Sequence, residues 1–232
     1  MNKFEEMYEV KEIDYDDSKD IIHNHHYLKR RSTTTKTYGM IRKEDDKLIG
    51  VCSFGNPASR AVCVGVCGHD EAENVKELKR LYIFDETPKN AESWFIGKVF
   101  KLVPYEIILS FSEPKVGHKG VVYQSTNFLF CGATIPFREY VPADGRHPKT
   151  IHGLLKQYGG GKKAYEALGE EVIKIVDRDR KYRYVFFNAT KKRKKELMQK
   201  LRYDVYEYPK TFDIEEWEQN KVVKIPTKYK RK

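Results

Sequence analysis

A strand–helix–strand unit in the middle of the chain restricts the fold more than any other feature. The runs "VKELKRLYIFD" (75–85) and "EIILSFS" (106–112) are rich in apolar and β-branched residues, which predicts two strands. Between them, "TPKNAESWFIGKVFKLV" (87–103) places Trp94 and Phe95 in an apolar pattern with helical spacing. This alternation indicates an α/β fold.

The segments before this unit predict one helix and two strands. The stretch "SKDIIHNHHYLKRR" (18–31) is predicted as a helix with Ser18 as its N-cap, running toward Arg30. The β-rich runs "KLIGVCSFG" (47–55) and "RAVCVGVCG" (60–68) are separated by the turn-forming "NPAS". We therefore expect them to pair as antiparallel neighbours.

After the central unit, the pattern predicts a second helix and further strands. "SEPKVGHKGVVYQSTNFLFCGA" (112–133) contains a Gly-x-x-Gly bend and then a predicted helix with Tyr123 and Asn127 four residues apart on one face. Asp144-Gly145 is a hairpin signal. The remaining predictions are a polar helix "KKAYEALGEEVIK", a strand "YRYVFF" and a basic helix "ATKKRKKELMQKL".

The whole order predicts an α/β protein with a mixed central sheet flanked by helices. We place the catalytic domain at 20–210, after an acidic N-terminal segment (1–19) and before a basic C-terminal tail (211–232). The chain has no run of about 18 apolar residues and an acidic start unlike a signal peptide, so we expect a cytoplasmic protein with no membrane partner. The spacing of the four cysteines matches no zinc pattern and predicts buried free thiols.

The charge of the chain indicates a nucleic-acid partner. Lys and Arg total 44 against 34 Asp and Glu, a net charge of +10, and the excess is concentrated in "KKRKK" (191–195) and "KVVKIPTKYKRK" (221–232). Such clusters suit a phosphate backbone, and the sixteen tyrosines could stack bases. The alternative is a solvated helix face and a frayed tail. The candidate DNA-binding residues are Lys191, Lys192, Arg193, Lys194 and Lys195.

Five stretches resemble the Mom family of phage DNA-modification proteins, and the order of elements resembles the N-acetyltransferase (GNAT) fold. These stretches are "HHY" (25–27), "ELKRLYI" (77–83), "PKNAESWFIGK" (88–98), "SFSEPKVGHKGVVYQSTNFLFCG" (110–132) and "DGRHPKTIH" (144–152). The resemblance implies conversion of the adenine N6 amine in phage DNA to N6-carbamoylmethyladenine, which shields the DNA from host restriction enzymes. It also implies double-stranded DNA as the partner, with the adenine flipped from the stack.

Two departures from the GNAT pattern concern the group donor. The stretch "DETPKNAESW" (85–94) lacks the glycine turn that cradles the CoA pyrophosphate at a helix N-terminus. The Tyr-x-x-x-Gly of the second helix reads Phe128-x-x-x-Gly132, which predicts loss of the common general-acid tyrosine. Both departures argue against acetyl-CoA, so the donor, acetyl-CoA-like or other, stays open.

Adenine N6 is a poor nucleophile, so an enzyme must orient it and help remove a proton. Tyr123 and Asn127 could supply a hydroxyl and an amide for the base edge. The resemblance adds His26 as a proton handler and Tyr27 as a stacking or hydrogen-bonding group. Glu113 follows a buried strand, at a position where the family more often has Asp. The alternative for each is a solvent-facing polar residue.

A second set of polar residues is predicted to hold the donor. Arg80 lies in an otherwise apolar strand and needs a carboxylate, phosphate or carbonyl partner, an internal ion pair being the alternative. Asn90, Glu92 and Ser93 begin the helix where the fold holds its donor, although they could simply cap it. Ser110 lies in the strand "EIILSFS" and completes this donor-binding set.

Several points stay open at this level. The spacing of His23 and His26 suits a metal such as iron or a plain surface, and His147 and His152 could reach DNA. A conventional acetyltransferase acting on a small amine or protein lysine, and a non-catalytic DNA-binding protein, are the competing functions. The oligomeric state, a homodimer included, is not determined by the sequence.

Overall fold

The computed structural model describes residues 3–30, 32–146 and 148–225. The chain divides into two compact units, one formed by Met1–Gly132 with Tyr182–Lys232 and the other by Ala133–Lys181. Within the described ranges, no helix has the length and apolar character needed to cross a membrane.

Among the described residues, the strands are β1 (Tyr8–Ile13), β2 (Lys36–Arg42), β3 (Lys47–Gly55), β4 (Val75–Ile83), β5 (Ile107–Ser112), β6 (Leu129–Ala133), β7 (Phe137–Pro142), β8 (Ile173–Arg178), β9 (Tyr182–Phe187), β10 (Val205–Tyr206) and β11 (Val223–Ile225). The α-helices in the same ranges are α1 (Lys3–Met7), α2 (Arg60–Cys67), α3 (Ala91–Leu102), α4 (Val121–Ser125), α5 (His152–Gln157), α6 (Gly161–Leu168), α7 (Lys191–Lys200) and α8 (Ile214–Asn220).

The first unit is built on a large mixed sheet in the order β1-β2-β3-β4-β5-β9-β6-β10-β11, as far as the chain is described. Strands β1 to β4 form an antiparallel meander, whereas β4 and β5 are parallel. The parallel pairing covers only Val75–Glu77 against Ile107–Leu109, so the two strands separate toward their carboxyl ends. The predicted mixed sheet flanked by helices is confirmed, and this separation forms an opening within it.

The predicted strand at 60–68 is wrong, because this segment is helix α2. Ser59 caps the helix by accepting a hydrogen bond from the Val62 backbone N–H at 3.4 Å. Val66 and Cys67 join a core cluster with residues of β5 and with Leu197 of α7. The alternation in "VCVGVC" is typical of a strand, but the cap and the spacing of Val62, Val66 and Cys67 satisfy a helix equally well.

The predicted helix over residues 18–31 is shorter than expected. Ser18 belongs to a 3₁₀ turn (Asp16–Ser18), and its hydroxyl donates to the Tyr15 carbonyl instead of capping a helix. The helical segment Ile21–His25 follows and ends where His26 adopts an extended conformation. Its two isoleucines are held by a core cluster that includes Val51. The chain therefore turns at His26 rather than continuing to Arg30.

The second unit is an antiparallel pair, β7 with β8, beside α5 and α6. The predicted hairpin at Asp144-Gly145 is wrong, because β7 pairs with a distant strand, although Gly145 does form a turn at φ 79°. The predicted helix at 162–174 ends at Leu168, since Gly169 takes φ 74° and β8 begins at Ile173.

Three other predictions from the sequence concern His147 and His152, the basic tail, and the cysteines. His147 and the end of the basic tail (226–232) lie outside the described residues, whereas His152 starts α5. The four cysteines are free thiols, as predicted; Cys52, Cys67 and Cys131 are buried and Cys63 is half-buried. Burial raises the pKa of Cys131 to about 12, so this thiol stays protonated and unreactive at neutral pH.

Candidate active site

A cavity of about 450 Å³ lies in the first unit where β4 and β5 separate. Its walls come from β4, the end of β5, the bend at 117–120, the start of α4, and the segment around His26. Open α/β sheets place ligands at the carboxyl ends of their strands, where side chains from several elements converge. Its polar and charged lining residues include His25, His26, Tyr27, Lys79, Tyr82, Asp85, Glu92, His118, Lys119 and Tyr123.

His26 is the buried imidazole of this cavity, with 4% of its surface exposed. Its Nδ1 accepts a hydrogen bond from the Leu28 backbone N–H at 3.1 Å. Burial, the Arg80 guanidinium and His118 together lower the pKa of His26 to about 4. A neutral imidazole with an accepting Nδ1 carries its proton on Nε2. His26 therefore offers an N–H donor at neutral pH, not a free basic nitrogen.

Three aromatic rings follow one another from the interior to the surface. The Tyr27 ring stacks on His26 with centroids 4.6 Å apart and contacts His118 at 4.9 Å. Tyr27 is 43% exposed, so the stack reaches the mouth of the cavity. Partial burial, followed by the nearby Glu113 carboxylate, raises the pKa of Tyr27 to about 12, which keeps its phenol protonated.

Tyr123 projects from α4 and lines the cavity while being largely buried. Its hydroxyl hydrogen-bonds to the side chain of Ser110, and burial raises its pKa. Ser110 in turn donates to the Leu78 carbonyl of β4 at 3.2 Å. The predicted donor-binding residue Ser110 thus fixes the position of Tyr123.

Gly120 permits the chain to enter α4 against the sheet. It has φ 82°, and a Cβ at this position would lie 2.6 Å from the Tyr184 ring. Any side chain here would displace Tyr184 or the start of α4, so the glycine is required by both conformation and space. The second glycine of the Gly-x-x-Gly bend is therefore explained by a structural requirement at this position.

Asn127 is not on the same helical face as Tyr123, so that expectation is wrong. Helix α4 ends at Ser125, and Asn127 adopts a left-handed conformation with φ 63°. Its exposed side chain lines a different groove, together with Asn188 and Lys194. A helix of five residues is too short to align positions 123 and 127.

The comparison of Phe128-x-x-x-Gly132 with a helix motif is also wrong, because Leu129–Ala133 is strand β6. Phe128 is fully buried among Phe100, Tyr123 and Phe186. The helix that follows β5 is α4, and it does carry a tyrosine, Tyr123. The predicted loss of a tyrosine from this helix is therefore not supported.

Glu113 and Arg80 lie beside the cavity. The half-buried Glu113 lies close enough for its carboxylate to raise the Tyr27 pKa. Arg80, 8% exposed, donates to the backbone carbonyls of Lys79 at 2.7 Å and Arg30 at 3.3 Å. These bonds tie the segment after His26 to β4 and give Arg80 the carbonyl partners that were among those predicted. Burial and the charge of Arg30 lower the pKa of Arg80.

The three residues predicted at the start of α3 line one groove together, and Glu92 also lines the main cavity. Asn90 has φ 71° and makes no side-chain cap, while the Ser93 hydroxyl donates to its carbonyl at 3.0 Å. Of the three, Glu92 alone lines the main cavity; Asn90 and Ser93 line neighbouring grooves. Partial burial of the carboxyl and the nearby Asp85 raise the pKa of Glu92, although its outer surface is exposed.

Sequence reasoning missed His118, His25 and the lysines of the cavity wall. His118 is presented on the bend between Gly117 (φ 83°) and Gly120 (φ 82°), a spacing that was visible in the sequence. The His25 ring packs against Phe84 at 4.8 Å and Tyr82 at 6.0 Å.

Within the part of the chain that is described, no group of three His, Cys, Asp or Glu side chains could hold a metal ion.

The predicted basic cluster lies on helix α7, but its five residues differ in exposure and in their contacts. Arg193 bonds to both Glu71 oxygens, at 3.0 and 2.6 Å, and to Glu106 at 3.0 Å. It therefore anchors the helix to Glu71 and Glu106. The other four residues, Lys191, Lys192, Lys194 and Lys195, are exposed.

The sequence and the fold of the chain were compared with those of known proteins. The chain is 30% identical over 200 residues to "Methylcarbamoylase mom" of Escherichia phage Mu, an alignment that covers 82% of this chain and 78% of that protein. Solved structures with a similar fold include the ribosomal-protein-S5-alanine acetyltransferase of Vibrio fischeri, with a TM-score of 0.44, 12% identity, and coverage of 78% of this chain and 93% of that one.

A GNAT family acetyltransferase from Elizabethkingia anophelis with acetyl-CoA bound has a TM-score of 0.39 and 10% identity, covering 78% of this chain and 97% of that one. At this level of likeness no function is transferred from either structure. The model of the Mom protein family matches residues 7–210. The chain therefore belongs to the Mom protein family.

Proposed function

We propose that this chain is a DNA-modifying transferase that converts the adenine N6 amine to N6-carbamoylmethyladenine and so protects phage DNA from host restriction enzymes. The observation that carries the proposal is family membership over residues 7–210, with a phage Mu relative whose name specifies the methylcarbamoyl group. The cavity at the separation of β4 and β5 supplies a reaction site in the part of the chain that matches the family.

The cavity suits a single adenine that has left the duplex stack. A base inside a duplex cannot reach a pocket, so enzymes of this kind take the nucleotide out of the helix. The half-exposed Tyr27 ring and the exposed His118 ring lie at the mouth, where they can contact an incoming base. The N–H of His26 supplies a donor to a ring nitrogen of the base, and the Tyr123 oxygen can accept from its N6 amine.

Three of the predicted catalytic residues then have a specific task. His26 donates a hydrogen bond through Nε2 and holds the base, because its Nδ1 is engaged by Leu28. Tyr123 accepts a hydrogen bond from the base, because its own proton is donated to Ser110. Glu113 stabilises positive charge that develops at the amine as it attacks. Asn127, outside this cavity, has no task in it.

The donor occupies the groove that continues from the cavity across the start of α3. This groove shares Asp85, Glu92 and Val121 with the main cavity. Asp85, Lys89 and Glu92 line this groove. The donor supplies the electrophilic methylene carbon of the carbamoylmethyl group, and the bond from that carbon to its leaving group breaks as N6 attacks.

Duplex DNA is bound through the exposed lysines of α7, which contact phosphates without reading sequence. Modification takes place in the host cytoplasm, where the phage DNA and the restriction enzymes meet.

The test is mass spectrometry of nucleosides from plasmid DNA of cells that express the protein. The expected product is deoxyadenosine heavier by one carbamoylmethyl group, together with resistance of the plasmid to several unrelated restriction enzymes. Cells that express Tyr123→Phe at the same level are the matched control. Unmodified DNA from soluble wild-type protein, under phage-infection conditions as well, contradicts the proposal, and acetylated small amines in its place support a conventional acetyltransferase.

A further inference from the structure

His118 is the cavity residue whose role the family resemblance leaves unassigned. Its exposed side chain lines the cavity from the bend between Gly117 and Gly120. Its ring lies 4.9 Å from that of Tyr27, at the outer end of the stack that begins at His26. A base that enters the mouth of the cavity would therefore meet the His118 imidazole.

Three other ring residues of the cavity, His26, Tyr27 and Tyr123, keep their protons at neutral pH. His26 has its Nδ1 occupied by the Leu28 N–H and carries its proton on Nε2. The Tyr27 phenol is protonated at neutral pH because its pKa is raised to about 12. Burial also raises the pKa of Tyr123, so its hydroxyl keeps the proton. These three groups can orient adenine but cannot take a proton from it.

We propose that His118 is the catalytic base that accepts the proton of the adenine N6 amine, an inference that rests on the proposed function. In this step the N6 nitrogen forms a bond to the electrophilic carbon of the donor. The bond from that carbon to the leaving group breaks, and its electron pair stays on the leaving group. The N6 proton passes to the free nitrogen of His118, and the imidazolium then releases it to solvent.

The surroundings of His118 favour this exchange. Tyr27 and His26 face it from one side, and both are neutral, so they do not oppose the positive charge that His118 gains. Glu92 of α3 is close enough for His118 to act on its pKa, and its carboxylate stabilises the imidazolium. Asp85, Lys79 and Lys119 line the same cavity and set the remaining local charge.

A carboxylate is the competing base, and Glu92 lines the same cavity as His118. His118 suits the task better by position, because its ring lies 4.9 Å from that of Tyr27 at the mouth, whereas Glu92 also lines the groove assigned to the donor. The test below separates the two.

The experiment measures modified deoxyadenosine in a reaction of purified full-length protein and unmodified plasmid, with DNA-free host-cell lysate as the source of the donor. His118→Phe keeps a ring against Tyr27 but has no nitrogen, and His118→Gln keeps a polar group. Both are expected to lower the yield by about 10²-fold or more. His118→Ala is expected to recover part of the lost yield when imidazole is added. The exposed His69→Gln serves as the control and is expected to match wild type.

The pH profile gives a readout that a packing role does not produce. The pH dependence of the wild-type yield is expected to be absent from the residual activity of His118→Gln. If wild-type protein makes no modified adenine, the proposed function fails. If wild type is active and His118→Phe equals it, only this inference fails. Wild-type activity of His118→Phe together with a large loss in Glu92→Gln assigns the base to Glu92.

Discussion

The backbone N–H of Leu28 donates to Nδ1 of His26 at 3.1 Å, two residues back along the chain. This contact fixes which nitrogen of the buried imidazole carries the proton. We predict that nuclear magnetic resonance of ¹⁵N-labelled protein will show His26 as the Nε2–H tautomer, with no titration above about pH 5, because its pKa is lowered to about 4. A titration near the ordinary histidine value of about 6.5 would show that His26 is not held in this way.

The burial of the same imidazole makes the stability of the protein depend on pH. The unfolded chain binds a proton at His26 below about pH 6.5, while the folded chain does not until about pH 4, since burial lowers the pKa of this side chain. The contribution to stability is therefore complete above pH 6.5 and is lost as the pH falls from there to about 4. Urea denaturation across this range should show a smaller loss for His26→Gln than for wild type; equal losses contradict the prediction.

Tyr123→Phe removes one hydroxyl from the cavity and leaves the ring packing in place. We predict a loss of modified adenine of about 10²-fold or more, because a hydrogen bond to the reacting base disappears. The melting temperature should hardly change, since the Ser110 hydroxyl keeps its bond to the Leu78 carbonyl. The two measurements are nucleoside mass spectrometry and thermal unfolding of the same preparation.

Phe128→Leu is the matched control for this helix. Phe128 is fully buried in the aromatic cluster below Tyr123 and does not line the cavity. A shorter side chain should lower the free energy of unfolding by about 1 kcal/mol and reduce modification only through folding. Normal yield in Tyr123→Phe, or a loss that follows early melting, would assign Tyr123 a structural role.

The elements with one strong periodic signal were predicted from the sequence. Strands β4 and β5 and helix α3 between them agree with the predicted segments, and so does the basic helix α7. Helix α2 was missed because "RAVCVGVCG" alternates like a strand, and only its contacts with Leu197 and β5 favour the helix. Tertiary packing decided this segment, as it often does for short apolar runs.

The candidate site was predicted in part. His26, Tyr27 and Tyr123 come together in the cavity, but Asn127 does not, because α4 is too short to align it with Tyr123. The tautomer of His26 depends on a backbone contact after a turn that no side-chain pattern indicates. His118 was given no role from the sequence, because its contact with the Tyr27 ring depends on the fold.

The lysines of α7 should contribute to DNA binding through charge alone. Replacing Lys191, Lys192 and Lys195 with Gln is predicted to weaken binding to all sequences alike. The slope of log K against log salt should fall by about 0.9 for each DNA phosphate that the protein no longer neutralises. The control is the Gln variant of Lys11, Lys19 and Lys47, which removes the same charge from lysines that lie beside carboxylates. Equal slopes for the two triple variants would mean that the α7 lysines are solvated surface residues that do not contact DNA.

Arg193, in contrast, should matter for stability and hardly at all for the salt slope. Its guanidinium bonds to both oxygens of Glu71, which is 3% exposed, and Lys200 binds the same carboxylate. Arg193→Gln removes the guanidinium and its paired hydrogen bonds, so the melting temperature should fall while the salt slope stays within error of wild type. A changed slope with an unchanged melting temperature would mean that Arg193 contacts DNA after all.

The Glu71 carboxylate gives the last prediction, a stability that is lost in acid. The hydrogen bonds from Arg193, then those from Lys200 and Asn74, lower the pKa of Glu71 to about 2, against an ordinary value of 4.5. Because the folded-state pKa is depressed, the stabilisation is complete above about pH 4.5 and disappears as the pH falls toward 2. Glu71→Gln should therefore lower the free energy of unfolding by about 2–3 kcal/mol at pH 7. The difference from wild type should shrink steadily between pH 4.5 and 2 in urea denaturation, since protonation removes the same charge from the native protein. A difference that stays constant over this range would attribute the effect of the substitution to packing around α7 and not to the ion pair.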